Sequence, residues 1–123
     1  MVKVASRDVP FAMKQGTFLF GVRVIRLVGK LPRTVAGIEV GRQLIRAGTS
    51  VGSNMEEADG AISKKDFVNH VRMSRKEARE SRFWLAMITA ANLLQDPQVQ
   101  ALSEEAVELV RILSSIITSA TRT

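Results

Sequence analysis

The sequence predicts an all-α protein with four helices packed as a single domain over residues 1–123. Three observations carry that expectation. Apolar residues recur at three- and four-residue intervals through four segments, without the sustained alternation of a half-buried strand. The chain has 3 prolines and no cysteine, and Ala, Leu, Arg and Glu are frequent; straight-chain residues lose little rotamer freedom in a helix. Apolar residues make up 46% and aromatics 5%, with tyrosine absent, so the core must come from Leu, Ile, Val, Ala and Met.

The first helix is expected over residues 12–31, after a basic, flexible segment 1–11. It is broadly apolar, with Phe18, Val22 and Ile25 beside Phe20, Val24, Leu27 and Leu31. Pro32 breaks it. The second helix is expected over 35–60, capped by Thr34. Its AGTSVGSN stretch places Gly48 and Gly52 four residues apart. Glycine in a helix costs about 1 kcal/mol against alanine, so the pair calls for a packing reason, and close approach of the third helix is the expectation.

The third helix is expected over 64–94, capped by Ser63. Its centre, RMSRKEARESR from Arg72 to Arg82, contains no leucine, isoleucine, valine or aromatic residue. A seam nevertheless runs through it at Phe67, Val71, Ser74, Ala78, Ser81, Leu85, Ile88 and Asn92, and its middle members are small. Asp96 is the expected cap of the fourth helix, 98–119, and Pro97 suits a first helical position. Its seam is Val99, Leu102, Ala106, Leu109, Leu113, Ile116 and Ala120, flanked by Val107, Val110 and Ile117. Such apolar width on the first and fourth helices exceeds what one bundle needs and suggests self-association.

Composition also excludes functions. Without cysteine there are no disulfides, thiol catalysis or cysteine-zinc sites. No apolar run approaches the roughly 20 residues of a membrane span, and the opening MVKVASRDVPFAMKQG lacks a signal-peptide core, so a cytoplasmic protein is expected. The net charge of +6 is uneven. Residues 1–33 carry seven Lys/Arg against one Asp and residues 63–94 carry seven against three acids, whereas 34–62 and 95–123 are each net negative by two. Polyanions become candidate partners where such charge gathers on one surface.

Arg72, Arg75, Lys76, Arg79 and Arg82 fall within about 120° on a helical wheel, a stripe able to track a phosphate backbone. A solvated face with pairs such as Lys76 to Glu80 is the plainer reading, and aromatic interleaving for base stacking is sparse. Met73, Glu77, Glu80, Trp84, Met87 and Ala91 form a second stripe, in which Trp84 is either an interface anchor or a second-layer core residue. On the second helix Gln43, Arg46, Ser50, Asn54 and Glu57 form a polar stripe; Arg46, Ser50, Asn54 and Glu57, with Glu77 and Glu80, are expected to build a structural polar network. A metal site from Glu57, Glu77 and Glu80 is disfavoured because the only histidine, His70, has Phe67 three residues before it rather than Glu. No catalytic triad can be assembled around that histidine. GTSVGS lacks the Lys-Ser/Thr that completes a phosphate loop. No cofactor, metal or catalytic residue is expected.

RQLIRAGTSVGSNMEEADGAISKKDFVNHVRMSRKEARESRFWL, residues 42–85, resembles the four-helix-bundle family of 23S rRNA intervening-sequence proteins. The family pattern reads approximately QLLRSGTSIGANIEEA, then SKKDF, then KEARETxYWL. Gln43, Leu44, Arg46, Gly48, Thr49, Ser50, Gly52, Asn54, Glu56, Glu57 and Ala58 match the first part. Residues 63–67 match the second, and residues 76–80 with Trp84 and Leu85 the third. The resemblance implies an antiparallel up-down bundle that assembles as a ring-like homo-oligomer, a homopentamer, with no established enzymatic activity. A related bundle, the accessory variability protein of diversity-generating retroelements, works with a reverse transcriptase and binds nucleic acid. Arg72, Arg75 and Arg82 depart from the pattern towards greater basicity. The expected function is therefore non-enzymatic binding of RNA or DNA, alone or beside a nucleic-acid-processing protein, away from membranes. A scaffold docking an acidic protein partner is the alternative.

Overall fold

The computed structural model describes residues 9–122, and the basic positions Lys3 and Arg7 lie outside them. The fold is all-α: α1 (Phe11–Val28), α2 (Val35–Ala58), α3 (Lys64–Ala90) and α4 (Pro97–Thr121), with no strand among the described residues. Successive helices pack against one another, and α4 closes back, less closely, on α1. Val9 is buried, and its N–H donates to Asp59 Oδ1 at 2.9 Å. Lys14 Nζ meets the other oxygen of Asp59 at 2.8 Å, so the entry to α1 is fastened to the end of α2. That hydrogen bond from Lys14, then the Val9 amide, holds the Asp59 carboxyl below its ordinary value.

The three expected caps form. Thr34 accepts from Gly37 N–H at 3.1 Å, Ser63 from Asp66 N–H at 3.0 Å and Asp96 from Gln98 N–H at 2.8 Å, each satisfying a donor that has no partner within its helix. Asp96 also meets Lys30 Nζ at 2.9 Å, tying the end of α1 to the start of α4.

The first three helices stop earlier than hydropathy predicts. α1 ends at Val28 rather than residue 31, and α2 at Ala58 rather than 60, before Gly60 at φ +74°. α3 ends at Ala90 rather than residue 94 because Asn92 turns left-handed at φ 58°. Leu93 N–H then bonds Ile88 O at 3.0 Å and Asn92 N–H bonds Thr89 O at 3.1 Å, a Schellman stop with asparagine in the usual glycine place. Leu93 folds back onto the core, which explains why an apolar residue continues the pattern beyond the helix. At the other end of the chain α4 runs two residues past the expected 119.

The core is one larger cluster around Phe20, Val24, Leu27, Leu44, Leu85, Ile88 and Leu102, and a second around Met55, Phe67, Val71, Leu113 and Ile117. Full burial of such side chains contributes about 1.5–3 kcal/mol each. The α3 seam is buried from Phe67 to Ile88, as expected, while Asn92 is exposed outside the helix. On α4 the apolar flank is narrower than predicted: Ile117 is core and Val110 packs against it, leaving Val107 exposed.

Gly48 and Gly52 do not receive α3; they receive α1. A Cβ on Gly48 would lie 2.8 Å from both methyls of Val24, and one on Gly52 would lie 3.1 Å from Thr17 O. Opposite them, a Cβ on Gly21 would come within 3.4 Å of Thr49 Cα. The small seam of α3 is joined to α2 elsewhere, through Ser74 Oγ, which donates to Val51 O at 2.8 Å in a fully buried setting.

Val24 is completely buried and β-branched, so it cannot rotate away from an added methyl. Gly48→Ala is expected to lower unfolding stability by about 1–3 kcal/mol through overpacking, net of helix propensity. Gly16 lies inside α1 with nothing within 4 Å of an added Cβ, so Gly16→Ala is expected to raise stability by about 0.5–1 kcal/mol. Denaturant titration of the pair checks both signs, and a neutral Gly48→Ala would contradict the close α1–α2 approach.

Candidate nucleic-acid interface

The polar stretch of α3 divides into three faces. Ser74, Ala78 and Ser81 point inward and are fully buried; Ser81 Oγ satisfies itself on Glu77 O at 2.8 Å. Towards α2 stand Glu77 and Glu80. Outward, and towards α4, stand the cations.

Arg72, Lys76, Arg79 and Arg82 are exposed, and Arg75 is half-buried with its Nη1 donating to Ser114 Oγ of α4 at 3.1 Å. Among the described residues, none of the five forms an ion pair. The Lys76–Glu80 pair of the solvated-face reading does not form; Glu80 turns to α2, where Arg46 Nη2 approaches its Oε1 at 3.4 Å. The five positive charges therefore have no carboxylate at ion-pair distance among the described residues.

The Arg75–Ser114 bond joins the basic face to α4, where Arg111 is paired with Glu108. A shallow depression there is lined by Arg111, Ser114, Ser115, Thr118, Ser119 and Arg122. Sequence reading missed it; its one signal was the recurrence of hydroxyls at helical spacing between the two arginines.

The α2–α3 network forms with different members from those expected. Arg46 bridges Gln43 and Glu80, Ser50 Oγ donates to Arg46 O at 2.7 Å, and Asn54 Nδ2 donates to Ser50 O at 2.9 Å. Asn54 Oδ1 lies 3.4 Å from His70 Nδ1, and His70 Nε2 lies 3.5 Å from Asp66 Oδ1. His70 and Asp66 thus belong to the network. Glu57 does not: it is exposed, with no side-chain bond among the described residues. It lies only about 20° from Ser50 around the helix, on the same stripe, but further along α2, where no side chain of α3 bonds it among the described residues.

Glu77 lies between core and network. Its Oε1 is buried and has no hydrogen-bond partner among the described residues. Burial, then the neighbouring Glu80 charge, raise its pKa above the ordinary carboxylate value, against weaker pulls from Arg46 and Lys76. No cluster of three His/Asp/Glu suited to a metal occurs among the described residues. Trp84 is half-buried and packs against the core of its own chain, the second-layer position weighed from the sequence. Its exposed neighbour is Phe83, in edge-to-face contact at 5.0 Å between ring centroids.

Because the folded state holds the Glu77 proton more tightly than the unfolded chain, ionising Glu77 weakens the fold as pH rises from the ordinary carboxylate value through its raised folded-state value. Glu77→Gln is therefore expected to melt higher than the parent at neutral pH, with the gap closing below about pH 4. Thermal melts across that range check the sign; a variant that melts lower at neutral pH would show that the carboxylate is needed as an anion.

Comparison with known proteins extends the resemblance seen at residues 42–85. A family model for the 23S rRNA-intervening sequence protein matches residues 11–115. A crystal structure of a protein of unknown function from the S23 ribosomal protein family of Bacteroides thetaiotaomicron VPI-5482 is 30% identical. It superposes with a TM-score of 0.80, the match covering 87% of this chain and 96% of that one. No protein of curated function matches. With all four helices inside or entering the matched span, the chain belongs to the 23S rRNA-intervening sequence protein family.

Proposed function

We propose that this protein is a non-enzymatic, cytoplasmic, oligomeric bundle that binds RNA or another nucleic acid through the basic face of α3. The observation that carries the reading is the row Arg72, Arg75, Lys76, Arg79 and Arg82, five cations on one face without a carboxylate partner among the described residues. Phosphates supply the missing negative charge, and binding releases counterions, so affinity falls steeply with salt. Absence of a helix long and apolar enough to cross a membrane, among the described residues, is compatible with the location.

The helices run up and down in an antiparallel bundle. In support, cross-helix partners descend on one helix as they ascend on the other: Thr17 with Gly52 and Val24 with Gly48, then His70 with Asn54 and Ser74 with Val51. Lys30 with Asp96 and Arg23 with Glu105 relate α1 and α4 in the same sense. Copies assemble as a ring, of five by family resemblance. The support in this chain lies on α1, where Phe11, Phe18 and Ile25 follow one another every seven residues at 74%, 66% and 49% exposure. Ile38 on α2 is exposed as well.

Two experiments test the parts separately. Arg75→Glu combined with Arg79→Glu is expected to weaken binding of a host large-subunit rRNA fragment. The slope of log affinity against log salt should flatten by about 1 for each phosphate that is no longer neutralised. Unchanged RNA affinity would remove the stripe from the site and leave docking of an acidic protein as the reading. Phe18→Lys combined with Ile25→Lys is expected to reduce the light-scattering mass from five chains to one without loss of helical circular dichroism. An unaltered mass would put the contact between copies elsewhere.

A further inference from the structure

Phe83 is the one aromatic on the basic face, and the structure gives it a place the sequence did not. It follows Arg79 by four residues, Lys76 by seven and Arg72 by eleven, so the four lie along one line of α3. By helix rise that line spans about 16 Å. The ring is 52% exposed. It is also held: its neighbour Trp84, itself packed on the core, meets it edge-to-face with an interplanar angle of 84°. An exposed ring fixed by a partly buried one, at the end of a line of unpaired cations, is a flat apolar surface beside three phosphate ligands.

That combination selects among nucleic acids. A base inside a duplex is stacked above and below, and its faces cannot reach a side chain on the outer surface of a helix. An unpaired base can leave its neighbours and lie on an aromatic ring while the backbone follows the cations. Duplex would be gripped by the cations alone. Resting on the nucleic-acid reading above, we infer that the ligand is single-stranded or loop RNA or DNA, with one unpaired base stacked on Phe83 and its flanking phosphates on Arg79, Lys76 and Arg72.

The test uses the full chain, a short unstructured RNA strand, and the same strand annealed to its complement. The parent protein is expected to bind the free strand more tightly than the duplex, and strand binding should alter the fluorescence of Trp84, the sole tryptophan. Phe83→Leu keeps an apolar residue but removes the aromatic face. It is expected to weaken strand binding roughly 5- to 150-fold while leaving duplex binding unchanged. Phe83→Trp should retain or strengthen the preference, which separates stacking from simple loss of packing. If the parent binds strand and duplex equally and Phe83→Leu changes neither, the inference falls while nucleic-acid binding stands. If neither form binds, both fall. If Phe83→Leu instead lowers the light-scattering mass, the ring belongs to a contact between copies, and the inference is overturned.

Discussion

The arrangement depends on the small-residue seam of α3. Ser74, Ala78 and Ser81 occupy positions where larger residues would hold α3 away from its neighbours, and Ser74 uses the closeness to bond the backbone of α2 directly. A buried hydroxyl of this kind is tolerable only when satisfied, and here it links two helices in one register. Small residues inward also mean that the long side chains of the same stretch must all leave by the other faces. Carboxylates go towards Arg46 and cations go outward, so one packing constraint sorts the charges of RMSRKEARESR into separate surfaces.

Glycine does the corresponding work between α1 and α2. Gly21, Gly48 and Gly52 bring two backbones together, and the apolar residues that would otherwise fill the gap stand outside it. Phe18 and Ile25 are exposed for this reason, since the α1 face that could have buried them against α2 is occupied by backbone. Tight packing within the chain and a bare apolar surface upon it are two results of the same choice of residues.

Much of this was legible. Periodicity located four helices, and Thr34, Ser63 and Asp96 could be named as caps because a side-chain oxygen before an apolar-periodic run has one obvious job. Helix ends were less legible, because Leu31 is buried and Leu93 packs, partly buried, on the core without either being helical, and hydropathy cannot separate those conditions. Partner choice was not legible either: Gly48 and Gly52 advertise a close approach, but nothing local says with which helix. Phe83 was overlooked because it adjoins Trp84 and Leu85 and reads as the start of an apolar exit, whereas consecutive helical residues point about 100° apart. Glu57 shares the stripe of Arg46, Ser50 and Asn54, but a stripe read from one helix does not show where the next helix places its partners, and α3 places none at Glu57 among the described residues.

The packing order, with each helix set against the one before it, bears on how the chain reaches this state. α1 can meet α2, and α2 can meet α3, after closing only a short connection, so most of the structure can accumulate in the order of synthesis. The α3–α4 and α1–α4 seams must await the last helix, and the second is the sparsest of the four, strengthened by Arg23 with Glu105 and Lys30 with Asp96. Charged pairs attract over a longer range than apolar groups do, so they can draw the final helix home before its leucines touch anything. The sparsest seam is thus the one whose closure most needs guidance from a distance.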